Sequence, residues 1–338
     1  MSMQLRELST DEAQARFERL PAAWRIASLS PAFAAADANR AASLRCVHMG
    51  VEHGEAEWLH SVHLRPLADE PDAWGAIAPY GYGGPLTTSS DPAFLAAAWA
   101  AWQAWCVGQG VLAEFCRFHP HRPGLQAFGG VVRENRRTVT VELSNSPVEA
   151  GYNTLTRRKI ARARRAGVQA RWSRAPQDWR AFGAFYRQGM EALGAAPFYF
   201  FGDHYFDALA ALPCARLLVC ERAGQWLSAG VYLQEEGGAV MEYHLGASSP
   251  EGKALGTACL LQDEAARLGA SLGAAWLYLG GGTDTREDNP LLFYKRGFSR
   301  HTLPYCVGEA IHDDNRYWSV AARHGFDRQH PPARLLLD

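Results

Sequence analysis

NPLLFYKRGF, residues 289–298, is the stretch from which the rest of the chain can be read. Its spacing predicts a helix over 289–296 that stops at Gly297, a residue able to take the left-handed conformation that closes a helix. Phe298 then packs back as a strand begins, expected over 299–307. Upstream, a strand is expected over 274–279 and a helix over 254–268. Before these come three strands, over 215–221, 226–234 and 239–245, parted by the turn pairs Ala223-Gly224 and Gly237-Gly238. Earlier still the chain reads as helix (152–166), strand (168–172), helix (176–193) and short helix (203–212). A mixed sheet with helices on both faces is the packing this order implies. Between the strand ending at 245 and the next helix stands Lys253-Ala-Leu-Gly256-Thr257-Ala258. Backbone N–H groups at such a helix N-terminus make a ready site for phosphate; the bland alternative is an ordinary strand-to-helix joint.

The remainder divides in the same style. A capped helix is expected over 12–20 after Ser9-Thr10-Asp11. Alternating segments over 43–52 and 56–67, with Gly54 between them, read as a hairpin. The Gly/Pro-rich loop 78–92 leads into an amphipathic helix over 92–106, whose Leu95, Ala98, Trp99, Trp102 and Cys106 recur at three- and four-residue steps. Strands over 111–118 and 137–143 close this part. The expected domains are 1–147, 148–310 and a C-terminal helix and Pro-ended tail over 311–338. No repeat of 20 to 50 residues is present, yet both halves end in strand-helix-strand, as distant duplicates would.

Composition narrows the function. The chain has 338 residues, 48% hydrophobic and 20% charged, enough for two cores. No apolar run reaches 18 residues, so no membrane span is expected. The first twenty residues lack the apolar stretch of a signal peptide. Seven scattered cysteines without a CxxC pair read as reduced thiols of a cytoplasmic protein. His119 and His121, flanking a proline, lack the further ligands a metal site needs. Net charge is −1, so a nucleic-acid partner must be held by a local patch. One such patch is Arg157-Arg158-Lys159, Arg162 and Arg164-Arg165, either a phosphate-binding face or a solvated one. DNA is not an expected partner.

NPLLFYKRGF and the Lys253–Ala258 turn resemble the late helix and the phosphate turn of the GNAT acyltransferase superfamily. Within it, RRKIARARRAGV (157–168), FYFFGDHYF (198–206), EYHLGASS (242–249) and LGGGTDTREDNPLLFYKRGFS (279–299) resemble the Fem-type (FemABX-like) aminoacyl-tRNA-dependent peptidyltransferases. APYGYGGPL and EFCRFHP extend the likeness loosely into the first half. The resemblance implies an α/β (α+β) fold of two tandem GNAT-like domains, each a mixed, mostly antiparallel sheet flanked by helices. It implies transfer of an amino acid from aminoacyl-tRNA to an amino group of a peptide-like acceptor, a peptidoglycan precursor or a natural-product peptide. No metal or further cofactor is needed, because the ester is already activated. The alternative within the superfamily is an acyl-CoA-dependent N-acyltransferase acting on an amino sugar or amino acid; a catalytically dead binding module is a third.

The family's Phe-Lys pair falls on Tyr294-Lys295. The resemblance implies that Lys295 serves the transfer step near the tRNA 3′ end, where an ammonium stabilises the developing oxyanion. A solvated lysine at a helix end is the alternative. The superfamily's acid tyrosine is replaced by Phe293, a departure from acetyl-CoA chemistry. Aligning Met190 puts Ala192 where members acting on nucleotide-linked wall precursors carry an arginine, which counts against that acceptor. Glu309, with Glu242 and Glu114 behind it, is a candidate to take the amine proton. Substrate contacts are expected from Tyr294, Tyr243, His244, Arg117, His119 and Tyr199. Donor phosphate or tRNA contacts are expected from Lys253, Gly256, Thr257, Arg158 and Arg162. Tyr80 and Tyr82 line a cleft or pack their loop, and Gly280 to Gly282 admit a ligand or serve as a connection.

Overall fold

The computed structural model describes residues 4–67, 70–121, 124–144, 147–330 and 335. In chain order they form β1 (Leu5–Leu8), α1 (Thr10–Glu18), α2 (Pro31–Asp37), β2 (Arg45–His53), β3 (Ala56–Leu67), β4 (Glu70–Ile77), β5 (Leu86–Thr87), α3 (Pro92–Gly108), β6 (Val111–Arg117) and β7 (Val131–Glu142). Then come α4 (Thr154–Arg165), β8 (Gln169–Ser173), α5 (Pro176–Ala192), α6 (Asp203–Ala211), β9 (Ala215–Arg222), β10 (Gln225–Leu233) and β11 (Val240–Ser248). The chain ends with α7 (Pro250–Leu255), α8 (Thr257–Ser271), β12 (Trp276–Gly280), α9 (Pro290–Arg296), β13 (Thr302–Ile311) and α10 (Asp314–Arg323).

Two compact units result, one of residues 1–20, 28–135 and 305–338, the other of 21–27 and 136–304. The chain therefore changes unit inside β7 and inside β13, where the sequence placed its boundaries after residues 147 and 310. The C-terminal segment, expected to stand apart, belongs to the first unit. There Tyr317, Val320 and Ala321 of α10 are buried against Leu112 and Ala113 of β6. Residues 331–334 and 336–338 of that segment lie outside the described residues.

Both units follow one plan. The first orders its strands β1-β2-β3-β4-β6-β13, antiparallel except for the β4–β6 pair, with β5 set against β3. The second orders them β8-β9-β10-β11-β12-β7, antiparallel except for β11–β12. In each, two helices join the first and second strands, and a helical crossover joins the parallel pair, as parallel strands require. The first core sets Trp58 of β3 and Trp102 of α3, both fully buried, against Val47, Met49 and Val62. The second packs Leu260, Leu261 and Ala265 of α8 on Leu218, Leu227, Tyr232, Met241 and Leu277. Each such side chain removed from water contributes about 1.5–3 kcal/mol.

Two local expectations are corrected. The helix expected over 254–268 is two helices, broken at Gly256 (φ +77°). Ser249 caps the first of these, accepting the Gly252 N–H at 3.0 Å, and Pro250 starts it, so residues 250–253, outside the expected helix, are helical too. Gly297 has the right-handed φ of −64°, so it is no left-handed cap. Glycine is needed there because a Cβ would overlap the Thr156 hydroxyl and come within 2.9 Å of the Tyr294 carbonyl oxygen.

Candidate active site

In the second unit the parallel pair parts. β11 and β12 are in register only at Val240–Trp276, Met241–Leu277 and Glu242–Tyr278, although β11 runs on to Ser248 and β12 to Gly280. In the first unit the equivalent pair stays together as far as Ile77–Phe115, where β4 ends. On the β12 side, residues 243–248 of β11 have no registered strand partner among the described residues. They are partly accessible apart from Leu245, which is buried. Main-chain groups along such an edge can bond a ligand's amides.

Lys295 stands at the β12 side of this parting. It is 7% exposed, and its Nζ donates to the Gly281 carbonyl oxygen at 2.7 Å. No carboxylate pairs with it among the described residues. Burial alone pulls its pKa down to about 7. The surroundings hold it in place. Asn289, itself 1% exposed, caps α9 by accepting the N–H groups of Leu291 and Leu292 at 3.0 and 3.2 Å, while its Nδ2 donates to the Thr283 hydroxyl at 2.8 Å. Arg136 donates to the Gly282 carbonyl oxygen at 2.9 Å. Gly280 supplies the left-handed turn (φ +77°) that ends β12. An ammonium withdrawn from water without a counter-ion suits an anion or an oxyanion formed during reaction.

Tyr294 turns away from Lys295, as adjacent positions on a helix must, by about 100°. Its hydroxyl donates to the Ala258 carbonyl oxygen at 2.9 Å and its ring meets Phe298 edge-on, so it is a core residue and not the substrate contact the sequence suggested. Burial raises its pKa well above the ordinary range. Phe293 is 66% exposed. On β11, alternation sends neighbours to opposite faces. Tyr243 faces α8, its ring 5.4 Å from Tyr232, with burial pushing its pKa up to about 12. His244 faces α6, its Nε2 2.8 Å from the Tyr205 hydroxyl. Nothing in the sequence signalled that pairing. Tyr199 is exposed in a short turn after α5.

The expected phosphate turn is partly engaged by the chain itself. The Gly256 N–H is bonded to the Gly252 and Lys253 carbonyl oxygens, and the Thr257 hydroxyl, fully buried, donates to Gly252. Lys159 of α4 lies across Gly256, and Arg162 donates to the Ala254 carbonyl oxygen at 3.1 Å. Because α7 coils into this space, the Gly256 amide and the Thr257 hydroxyl are engaged within the chain; Lys253 remains exposed. Along α4, Arg164 pairs with Asp263 and Glu264. Arg157, Arg158 and Arg165 are exposed and have no carboxylate partner among the described residues.

The other expected site residues belong to the first unit. Arg117 donates to the Ala78 and Pro79 carbonyl oxygens, tying down the glycine-rich loop. His119 is buried, its ring 4.7 Å from that of Tyr82, and its Nδ1 accepts the His121 N–H. Tyr82 therefore packs its loop, and the Tyr80 N–H bonds Asp37 at 2.7 Å. Glu309 pairs with Arg133 on a cavity of about 480 Å³ that Trp99 and Gln103 also line. Glu114 is fully buried, receiving His60 at 2.7 Å, Trp102 at 2.9 Å and His312 at 3.3 Å. Burial opposes its ionisation, but the two imidazoles outweigh that and hold its pKa well below the usual range. Its role is structural, not that of a base open to an amine. Among the described residues no three His, Cys, Asp or Glu are grouped to hold a metal.

A duplicated sheet with one parallel pair per unit, parted in the second, is a tandem GNAT fold of Fem-like form. A crystal structure of FemX superposes with a TM-score of 0.73 at 13% identity, covering 94% of this chain and 100% of that one. The C-terminal domain assigned to a lysylphosphatidylglycerol synthetase of Agrobacterium fabrum gives 0.58 at 16% identity, covering 94% and 96%. A tandem GNAT protein from the clavulanic acid biosynthesis pathway gives 0.55 at 13% identity, covering 92% and 99%. No protein-family model and no curated sequence matches the chain. At these identities the likeness is one of fold. No helix among the described residues is long and apolar enough to cross a membrane.

Proposed function

We propose that this chain is an aminoacyltransferase that takes an amino acid from the 3′ ester of an aminoacyl-tRNA and joins it to an amino group of a peptide-like acceptor. The observation that carries this reading is Lys295, buried, without a carboxylate partner among the described residues and bonded to Gly281 just beyond the end of β12. The neutral acceptor amine attacks the ester carbonyl carbon. The carbonyl oxygen takes the negative charge and Lys295 stabilises it. The C–O bond to the ribose then breaks, the amide forms, and the amine's proton leaves with the ribose oxygen. Arg157, Arg158 and Arg165 supply phosphate contacts, and Tyr199 and His244 border the donor.

The acyl-CoA alternative has less support. A diphosphate needs free N–H groups, and the Gly256 amide is engaged within α7. Phe293, in the position of the superfamily's acid tyrosine, has no proton to give.

Single-turnover transfer from aminoacyl-tRNA to a model peptide amine tests the proposal. Lys295→Met is expected to slow the chemical step about 10²- to 10³-fold, the usual cost of an oxyanion donor, while leaving tRNA affinity within a few-fold. Unchanged transfer by the variant, or transfer that survives ribonuclease and requires an acyl thioester, would overturn it.

A further inference from the structure

Large apolar side chains of the second unit are mostly buried, but three consecutive aromatic residues are not. Phe198, Tyr199 and Phe200 are 46%, 38% and 41% exposed, after Leu193 at 63%. Their backbone is pinned. Pro197 opens a tight turn in which the Tyr199 N–H bonds the Ala196 carbonyl oxygen at 3.0 Å and the Phe200 N–H bonds that of Pro197 at 3.1 Å. Arg187 holds the next carbonyl, that of Phe201, at 3.1 Å.

The turn is also joined to the parted strand. The Phe198 ring meets Phe201 edge-on at 6.3 Å, Phe201 meets Tyr205 at 4.6 Å, and the Tyr205 hydroxyl is 2.8 Å from His244 of β11. The end of α5 packs on the same strand, where a Cβ on Gly189 would come within 2.8 Å of the Ala247 Cβ. Three residues beyond Ala247 the chain enters α7, against which α4 lies through Lys159 and Arg162. The end of β11 is thus flanked by an aromatic lip and by a helix carrying Arg157, Arg158 and Arg165 without carboxylate partners among the described residues. Exposed rings for bases and free cations for the backbone are the two requirements of single-stranded nucleic-acid binding. An apolar peptide would need only the first.

We propose that Phe198, Tyr199 and Phe200 are the stacking platform for the unpaired 3′ nucleotides of the donor RNA. This rests on the aminoacyl-tRNA reading and specifies which part of that RNA the lip takes. Stacking supplies roughly tenfold in affinity per base and tolerates any base, because each has a flat face.

Fluorescence anisotropy on the full chain, at fixed salt, compares a hairpin ending in an unpaired 3′ CCA with the same hairpin lacking that overhang. The wild type is expected to prefer the overhang, and the double variant Phe198→Leu, Phe200→Leu to lose that preference by about tenfold or more. Leucine keeps the surface apolar and removes only the rings. Unaltered affinity of the variant for the blunt hairpin reports that it is folded. A variant that keeps the full preference for the overhang overturns the platform and leaves the donor reading standing. A wild type that binds neither hairpin overturns both.

Discussion

Lys295 was legible as a residue but not as a site. The sequence placed it on a helix next to a glycine, where an idle, solvated lysine fits equally well, because its contact with Gly281 depends on how α9 packs. Its neighbour Tyr294 shows the same gap: one helical step directs that side chain into the core. Burial has a consequence of definite sign. The lysine's pKa is about 7 in the fold and the ordinary 10.5 when unfolding returns it to water. Between those values the unfolded chain binds more protons, so this group makes stability rise with pH. Below about 7 both states are charged and the fold carries the whole cost, a few kcal/mol at about 1.4 kcal/mol per pH unit. Lys295→Met should therefore resist urea better than the parent at pH 6.5, by a margin that shrinks toward pH 10. A margin that stays constant or grows with pH would show that the ammonium is not desolvated. Transfer should also decline as pH rises through the lysine's titration, and Lys295→Arg, which stays charged, should lack that decline.

Among elements, the strands and helices of the second unit were the most readable, since β9, β10 and β11 are short, largely apolar runs parted by turns that carry glycine. What escaped were elements made by context. The central strand β4, with Pro71 and Gly75 in its sequence, carries no strand signal of its own, and β3 and β6 pair with it on either side. α7 escaped because its six residues look like the approach to one longer helix, and with it the engagement of the phosphate turn by the chain itself. The junction of α9 with α4 tests the corrected reading of Gly297. The Asn153 N–H bonds the Gly297 carbonyl oxygen at 2.9 Å, and Thr156 fills the space a side chain would need. Gly297→Ala should cost about 1–3 kcal/mol in urea unfolding, as overpacking does, and Gly297→Asn at least as much. A left-handed cap would rank them the other way, with asparagine the better tolerated.

The molecule repeats one plan, and among the described residues only the second copy parts its parallel strands. The duplication was visible in the matching strand-helix-strand endings, but the unit boundaries were not. Nothing local in β7 or β13 marks where a continuous strand passes from one unit to the other. The proposed use of an aminoacyl-tRNA donor can be measured as binding. An aminoacylated hairpin ending in CCA, followed by anisotropy at two salt concentrations with CoA as competitor, addresses it most directly. The account predicts affinity that weakens steeply as salt rises, through the phosphate contacts of α4, and that CoA does not displace. Tight CoA binding with no affinity for the hairpin would contradict it.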